Sequence, residues 1–277
     1  MTARHDAEAV LRAIADAPDA PTDLADAALA LAVLDRPRAA AARYRIHIEE
    51  LARDIREIAD TADGNLQGRV DALNSVIFGQ HGYDGDSLTY DDIQNANLMR
   101  VIDRRKGLPV ALGILYIHAA RAQGWSAVGL NFPGHFLVRM DGAGDRLVVD
   151  PFHNGLVRNA ADLRELLKLN VGLDAELSPH HYDAVSDRDI LIRLQNNIKI
   201  RNIQDGRLEQ AMDIVRGMLL FAPDIASLWH EAGALNLRLG NFLAAIETFE
   251  RFIELCDRDE ARHEAAAAVQ SIRERLN

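Results

Sequence analysis

The sequence predicts an α+β core, helices around a small antiparallel sheet, followed by an all-α repeat segment. Three observations carry this. Apolar residues recur at helical spacing from Leu24 to Gln123. The pattern then changes to short apolar strand-like runs with a glycine-rich connection between residues 127 and 150. Beyond Asp187 the helical period returns, with like residues 34 positions apart: Gly206 and Gly240, Ala211 and Ala245.

The elements follow in order. Residues 1–22 are rich in Ala, Asp and Pro and are expected to be loosely ordered, with Pro18 and Pro21 ending any early helix. Thr22 or Asp23 caps a helix whose apolar stripe is Leu24, Ala28, Leu31 and Leu34. After Pro37 a second helix carries Tyr44, Ile48, Leu51, Ile55 and Ile58 on one face, and a third holds Val70, Leu73 and Ile77. Residues 80–90 read as a polar, Gly-rich loop that either connects elements or lines a site. A helix from Asn95 to Arg104 follows. Pro109 is then well placed at a first helical position, and the helix it starts, through Gln123, is apolar nearly all round and therefore buried. Residues 127–132, 135–140 and 146–150 read as strands, the last two joined by Asp141-Gly142-Ala143-Gly144-Asp145. A helix near 162–169 and a Pro/His-rich linker over 177–186 close the core, so the core spans 23–176.

The 34-residue period over 187–277 is that of tetratricopeptide repeats. Trp229, Gly233, Gly240, Ala245 and Phe249 stand on the signature positions of the second unit; Gly206, Ala211 and Pro223 mark the first. Residues 259–276 read as a capping helix with Ala265 to Ala268 on its packing side. Such repeats either bind a peptide or buttress the core.

Composition excludes several functions. Of the 277 residues 48% are apolar and 26% charged, which suits a globular chain with a real core. A net charge of −11 argues against a nucleic-acid partner. The longest apolar run, Val110 to Ile117, is too short to span a bilayer, and no apolar segment follows a basic start, so the expected location is cytoplasmic. Cys256 is the single cysteine, so no intrachain disulfide forms. There is no phosphate-binding Gly-rich loop, and the histidine spacings match no zinc pattern, so neither a cofactor nor a metal is expected.

Chemistry concentrates in Asn131-Phe132-Pro133-Gly134-His135-Phe136. His135 starts one expected strand and Asp150 ends its hairpin partner. Paired, an Asp fixes the imidazole tautomer, which is the base-and-orienter half of a triad. A buried histidine satisfied by a carboxylate fits the same spacing.

The runs Arg100-Val101-Ile102, Arg105-Lys106-Gly107-Leu108-Pro109-Val110-Ala111-Leu112, Asn131 through Arg139 and Val149-Asp150-Pro151-Phe152 resemble the bacterial SirB N-terminal family, over roughly residues 25–175. The repeat tail fits the same family. The resemblance implies a papain- or transglutaminase-like core, in which a Cys at the start of a central helix works with a His and an Asp on the following strands. His135 and Asp150 would hold the latter places, with Asn97, Pro109, Val110, Asn131 and Gly134 as candidates for the cleft. The sequence departs from the enzymatic pattern at the nucleophile: Gly107-Leu108-Pro109-Val110-Ala111 contains no Cys, Ser or Thr. The expectation is a non-enzymatic scaffold with a protein or peptide partner on its repeats. The alternative is a cryptic amide hydrolase or acyl transferase with a different nucleophile.

Overall fold

A computed structural model describes residues 3–17, 20, 22–60 and 64–276. The expected breaks at Pro18 and Pro21 lie outside the described residues. Contacts divide the chain into two units: Met1–Ala7 with Pro21–Leu194, and Glu8–Ala20 with Gln195–Asn277.

The N-terminal stretch differs from expectation. It carries α1 (Ala3–Asp16), with Leu11 and Ile14 buried. Ala7, Leu11 and Ile14 are spaced four and three apart, a helical stripe that the surrounding Ala and Asp residues conceal.

In the first unit, α2 (Leu24–Asp35) begins where Asp23 accepts the amide of Asp26 at 3.0 Å. It is buried almost all round, as its Ala-rich sequence allows. α3 (Ala41–Ala59) buries Tyr44, Ile48, Leu51 and Ile55 on one face. α4 (Leu66–Asn74), capped by Asn65, runs on as a π turn over Ser75–Gln80. β1 (Asp84–Gly85) then pairs in parallel with β2 (Lys106–Gly107). Between them lie a 3-10 turn, Ile93–Ala96, and α5 (Leu98–Arg104). The helix expected from Asn95 thus starts at Leu98, because Asn97 is its extended cap and accepts the amide of Arg100 at 3.2 Å.

α6 (Pro109–Arg121) is the central helix. Pro109 sits in its first turn, and every residue from Pro109 to Ile117 is buried. It packs against β3 (Ser126–Gly129) and β4 (Val138–Asp141), which continue into β5 (Arg146–Asp150) and β6 (Leu156–Arg158) as a four-stranded antiparallel sheet. The register sets Val138 opposite Val149 and Asp150 opposite Leu156. β6 was not anticipated. Its signal is Asn154-Gly155, whose φ angles of 54° and 73° make the turn that returns the chain.

Gly113, in the middle of α6, forms a notch. A Cβ there would lie 2.3 Å from the Phe136 ring, so only glycine admits that ring. α7 (Ala160–Val171) opens with an Asn159–Asp162 capping box. The segment 177–186, expected as a linker, instead extends the sheet edge. After a 3-10 turn at Pro179–Tyr182, Ala184 bridges Leu130 and Val185 donates to the Gly129 carbonyl at 3.0 Å. The first unit ends inside α8 (Asp187–Gln204).

The second unit contains α9 (Leu208–Phe221), α10 (Ala226–Arg238), α11 (Phe242–Leu255) and α12 (Asp259–Leu276). The expected repeat positions perform as small-residue contacts demand. Gly206 and Gly240 turn the chain at φ 74° and 77°, and Ala211 and Ala245 are fully buried. A Cβ on Gly233 would meet Phe249 at 2.6 Å. Trp229 donates to the Pro223 carbonyl at 2.7 Å. α12 packs through Ala265, Val269 and Ile272 against Phe249 and Phe252, so its buried face follows helical spacing instead of the run Ala265 to Ala268. Among the described residues no helix is long and apolar enough to cross a membrane.

Candidate functional site

His135 does not start a strand. β4 begins at Val138, and His135 occupies the turn before it. That turn is pinned at three carbonyls. Leu130 N–H donates to Leu137 O at 3.0 Å, Asn170 donates to Pro133 O at 3.1 Å, and Arg193 of α8 donates to His135 O at 2.7 Å. Gly134 makes the turn at φ +70°, against the Asn170 side chain. Asp150 ends β5 and opens a 3-10 turn, Pro151–His153, that packs on α6.

These two elements bring His135 and Asp150 together: Nε2 lies 2.9 Å from Oδ1, with Asp150 fully buried and His135 9% exposed. Asp150 accepts five hydrogen bonds. Its Oδ1 takes His135 and the Phe152 amide; its Oδ2 takes His153 Nδ1 at 2.8 Å and two nitrogens of Arg158 at 3.1 and 2.7 Å. Burial alone would raise the Asp150 pKa. The hydrogen bond and charge of His135, with those of Arg158 and His153, outweigh it and hold the carboxyl far below the usual range. An ionised Asp150 has only acceptors, so His135 donates from Nε2 and His153 from Nδ1.

Arg158 was missed from the sequence, because it depends on β6 returning beside β5, whereas His153, three residues past Asp150, reaches it from the 3-10 turn itself. His135, Asp150 and His153 each offer one metal-ligand atom, all within 4.8 Å of one another, although no zinc spacing was legible.

The other expected cleft residues go to different tasks. Asn97 is buried, caps α5 and donates to Asp35 Oδ2 at 2.9 Å. Pro109 and Val110 are buried in the first turn of α6, and the Leu108 amide donates to Asn95 O at 2.9 Å. Asn131 is exposed and lines a pocket of about 370 Å³ with Asp183, Ile190 and Arg193. Asp86, in the loop before α5, is fixed by Thr89 and by Arg104 at 2.8 Å, and these partners offset its burial and hold its pKa at about 2.

A second polar cluster lies between α3 and the end of α5. Arg105, in the left-handed region at φ 58°, donates to Tyr83 Oη and His47 Nε2, each at 2.7 Å, and to Ile102 O at 2.9 Å. His81 pairs with Asp54 at 2.8 Å, and its ring meets that of His47 at 5.4 Å. Burial, then the charges of Arg105 and His81, lower the His47 pKa from 6.5 to about 4, against the pull of Glu50.

A central buried helix, a following antiparallel sheet and a His–Asp pair joined by a hydrogen bond define the transglutaminase-like class of domain. The comparisons agree. The pattern of the Transglutaminase-like superfamily matches residues 42–196, more than half of the chain, and a Tetratricopeptide repeat pattern matches 198–277. The chain belongs to the transglutaminase-like superfamily. It is 30% identical over 187 residues to a UPF0162 protein of Xylella fastidiosa, covering 66% of either chain, just under two thirds of that relative. It is 28% identical over 240 residues to a UPF0162 protein of Vibrio cholerae, covering 86% of this chain and 88% of the relative. It is 29% identical over 163 residues to mouse F-box only protein 21, covering 56% of this chain and 25% of that protein.

Proposed function

We propose that the chain is a non-enzymatic member of the SirB N-terminal branch, a transglutaminase-like scaffold whose repeats hold a protein or peptide partner. One observation carries this reading. The helix start that would bear a nucleophile carries Leu108, Pro109 and Val110, all buried and none with a group to activate. A His–Asp pair without a nucleophile is a base with nothing to deprotonate but water. The saturation of Asp150 by five donors supports the same reading, because it makes the carboxylate a structural clasp for the turn after β5. The match to a quarter of F-box only protein 21 supports a core that is used as one part of longer chains.

The retained 2.9 Å contact between His135 and Asp150 favours one rival, a cryptic amide hydrolase or acyl transferase using water or a hydroxyl. The two readings separate in one assay. The purified chain is incubated with glutamine-containing peptides, and ammonia release and cleavage are followed. The scaffold reading expects no turnover above buffer. Turnover that disappears in His135→Ala would establish the rival.

A further inference from the structure

We propose that His135, Asp150 and His153 form a site for one divalent transition-metal ion of the zinc type, which takes the place now held by the Arg158 guanidinium. This goes beyond the scaffold reading and does not depend on it.

The geometry is close to what such an ion needs. Zinc bonds imidazole nitrogen and carboxylate oxygen at about 2.0–2.2 Å, so two of its ligand atoms stand about 3 Å or slightly more apart. His135 Nε2 and His153 Nδ1 already lie 2.9 and 2.8 Å from the two Asp150 oxygens. The three donors fall within 4.8 Å of one another. The remaining closure is between the two rings, and His153, whose side chain is 50% exposed, is free to make it. Two imidazoles and one carboxylate suit zinc or its neighbours, whereas calcium and magnesium require oxygen ligands throughout.

The anchor is also prepared. Asp150 is fully buried and has its Oδ1 fixed by the Phe152 amide at 3.2 Å. The His135 turn is fixed by the Arg193 bond to its carbonyl. Outer hydrogen bonds of this sort orient metal-binding side chains. A cation already sits on Oδ2. Arg158 bonds it through two nitrogens and lies 3.1 Å from His153 Nδ1. Its side chain, 18% exposed on the last strand of the sheet, can leave toward solvent. Each ring must present a bare nitrogen to the ion, Nε2 of His135 and Nδ1 of His153, so the proton that each now donates to Asp150 passes to the ring's other nitrogen or to solvent. The guanidinium keeps its charge as it leaves, so the ion and Arg158 compete for one carboxylate.

The test is a Zn²⁺ titration of the full, metal-stripped chain by calorimetry, with Co²⁺ absorption as a second readout. The proposal expects one ion per chain and an affinity that falls at least about tenfold in His153→Ala, a half-exposed position whose loss spares the fold. It expects tighter binding in Arg158→Gln, which removes the competitor, and no change in His180→Ala. Absence of binding at millimolar Zn²⁺ would overturn it. So would equal binding in His153→Ala, which moves the ion elsewhere, for instance to the His180 and His181 rings 4.0 Å apart. Weaker binding in a folded Arg158→Gln variant would overturn the competition.

Discussion

Around Asp150 an anion is buried and every neighbour donates; around His47 a neutral imidazole is half-buried beside a cation. Both clusters are polar and both lie in the first unit, yet they respond to protons in different ranges. Asp150 is surrounded by positive partners, so it stays ionised until strongly acid conditions. His47 accepts from Arg105 through Nε2, and protonating that nitrogen would set an N–H against a guanidinium. A carboxylate gains from cations what an imidazole loses to them.

The largest expected effect breaks the first cluster outright. Asp150→Ala leaves Arg158, His135 and His153 without their acceptor and should cost about 3–5 kcal/mol, read from urea unfolding of the full chain. A loss below about 1 kcal/mol would mean that the clasp is not the anchor of that turn.

Gly85→Ala attacks the same turn from beneath. A Cβ there would lie 2.4 Å from the Phe152 carbonyl oxygen, and the displacement should cost about 1–3 kcal/mol. Unchanged stability would show that the turn shifts freely, and His135–Asp150 geometry would then need no such support.

A pH series separates the two clusters. Both groups have lowered pKa values when folded, so each contributes stability at high pH that is lost as pH falls. For His47 the loss runs from 6.5 down to about 4 and, with its partial solvation discounted, amounts to on the order of 2 kcal/mol. For Asp150 the loss begins only below the ordinary carboxylate value of about 3.9. His47→Gln should therefore flatten the stability curve between pH 6.5 and 4 and leave the more acid limb intact. An unaltered curve would remove His47 as the group responsible.

The smallest effect supplies a surface reference. Arg43 bonds Asp103 at 2.8 Å, but with side chains 61% and 32% exposed. Arg43→Ala should leave the urea midpoint nearly unchanged. A cost near that of Asp150→Ala would mean that burial does not distinguish the two ion pairs.

The sequence made some of this legible and hid the rest for physical reasons. The start of α6 was visible because proline can stand at a first helical turn, and the repeat register because glycine and alanine recur where helices touch. The His135–Asp150 pair was visible because the hairpin brings the chain near 135 beside the chain near 150, although His135 itself reaches Asp150 from the turn before β4. Three features were not. β6 has only three residues, too few for alternation to show, although Asn154-Gly155 marked its turn. The α1 stripe is weak because alanine is both helix former and filler. Ala184 joins the sheet through backbone bonds that no side-chain pattern records. Asn97 misled for a related reason: an asparagine before an apolar helix is as much a cap as a cleft residue.

The notch at Gly113 bears on why His135 and Asp150 still meet. The Phe136 ring fills the space that any side chain at position 113 would need, and Phe136 is the chain neighbour of His135. Enlarging residue 113 ejects the ring, and shrinking residue 136 leaves a hole beside the central helix. The interlock thus fixes the backbone on which His135 stands, so a side chain added at Gly113 should move the imidazole away from Asp150 without touching either residue.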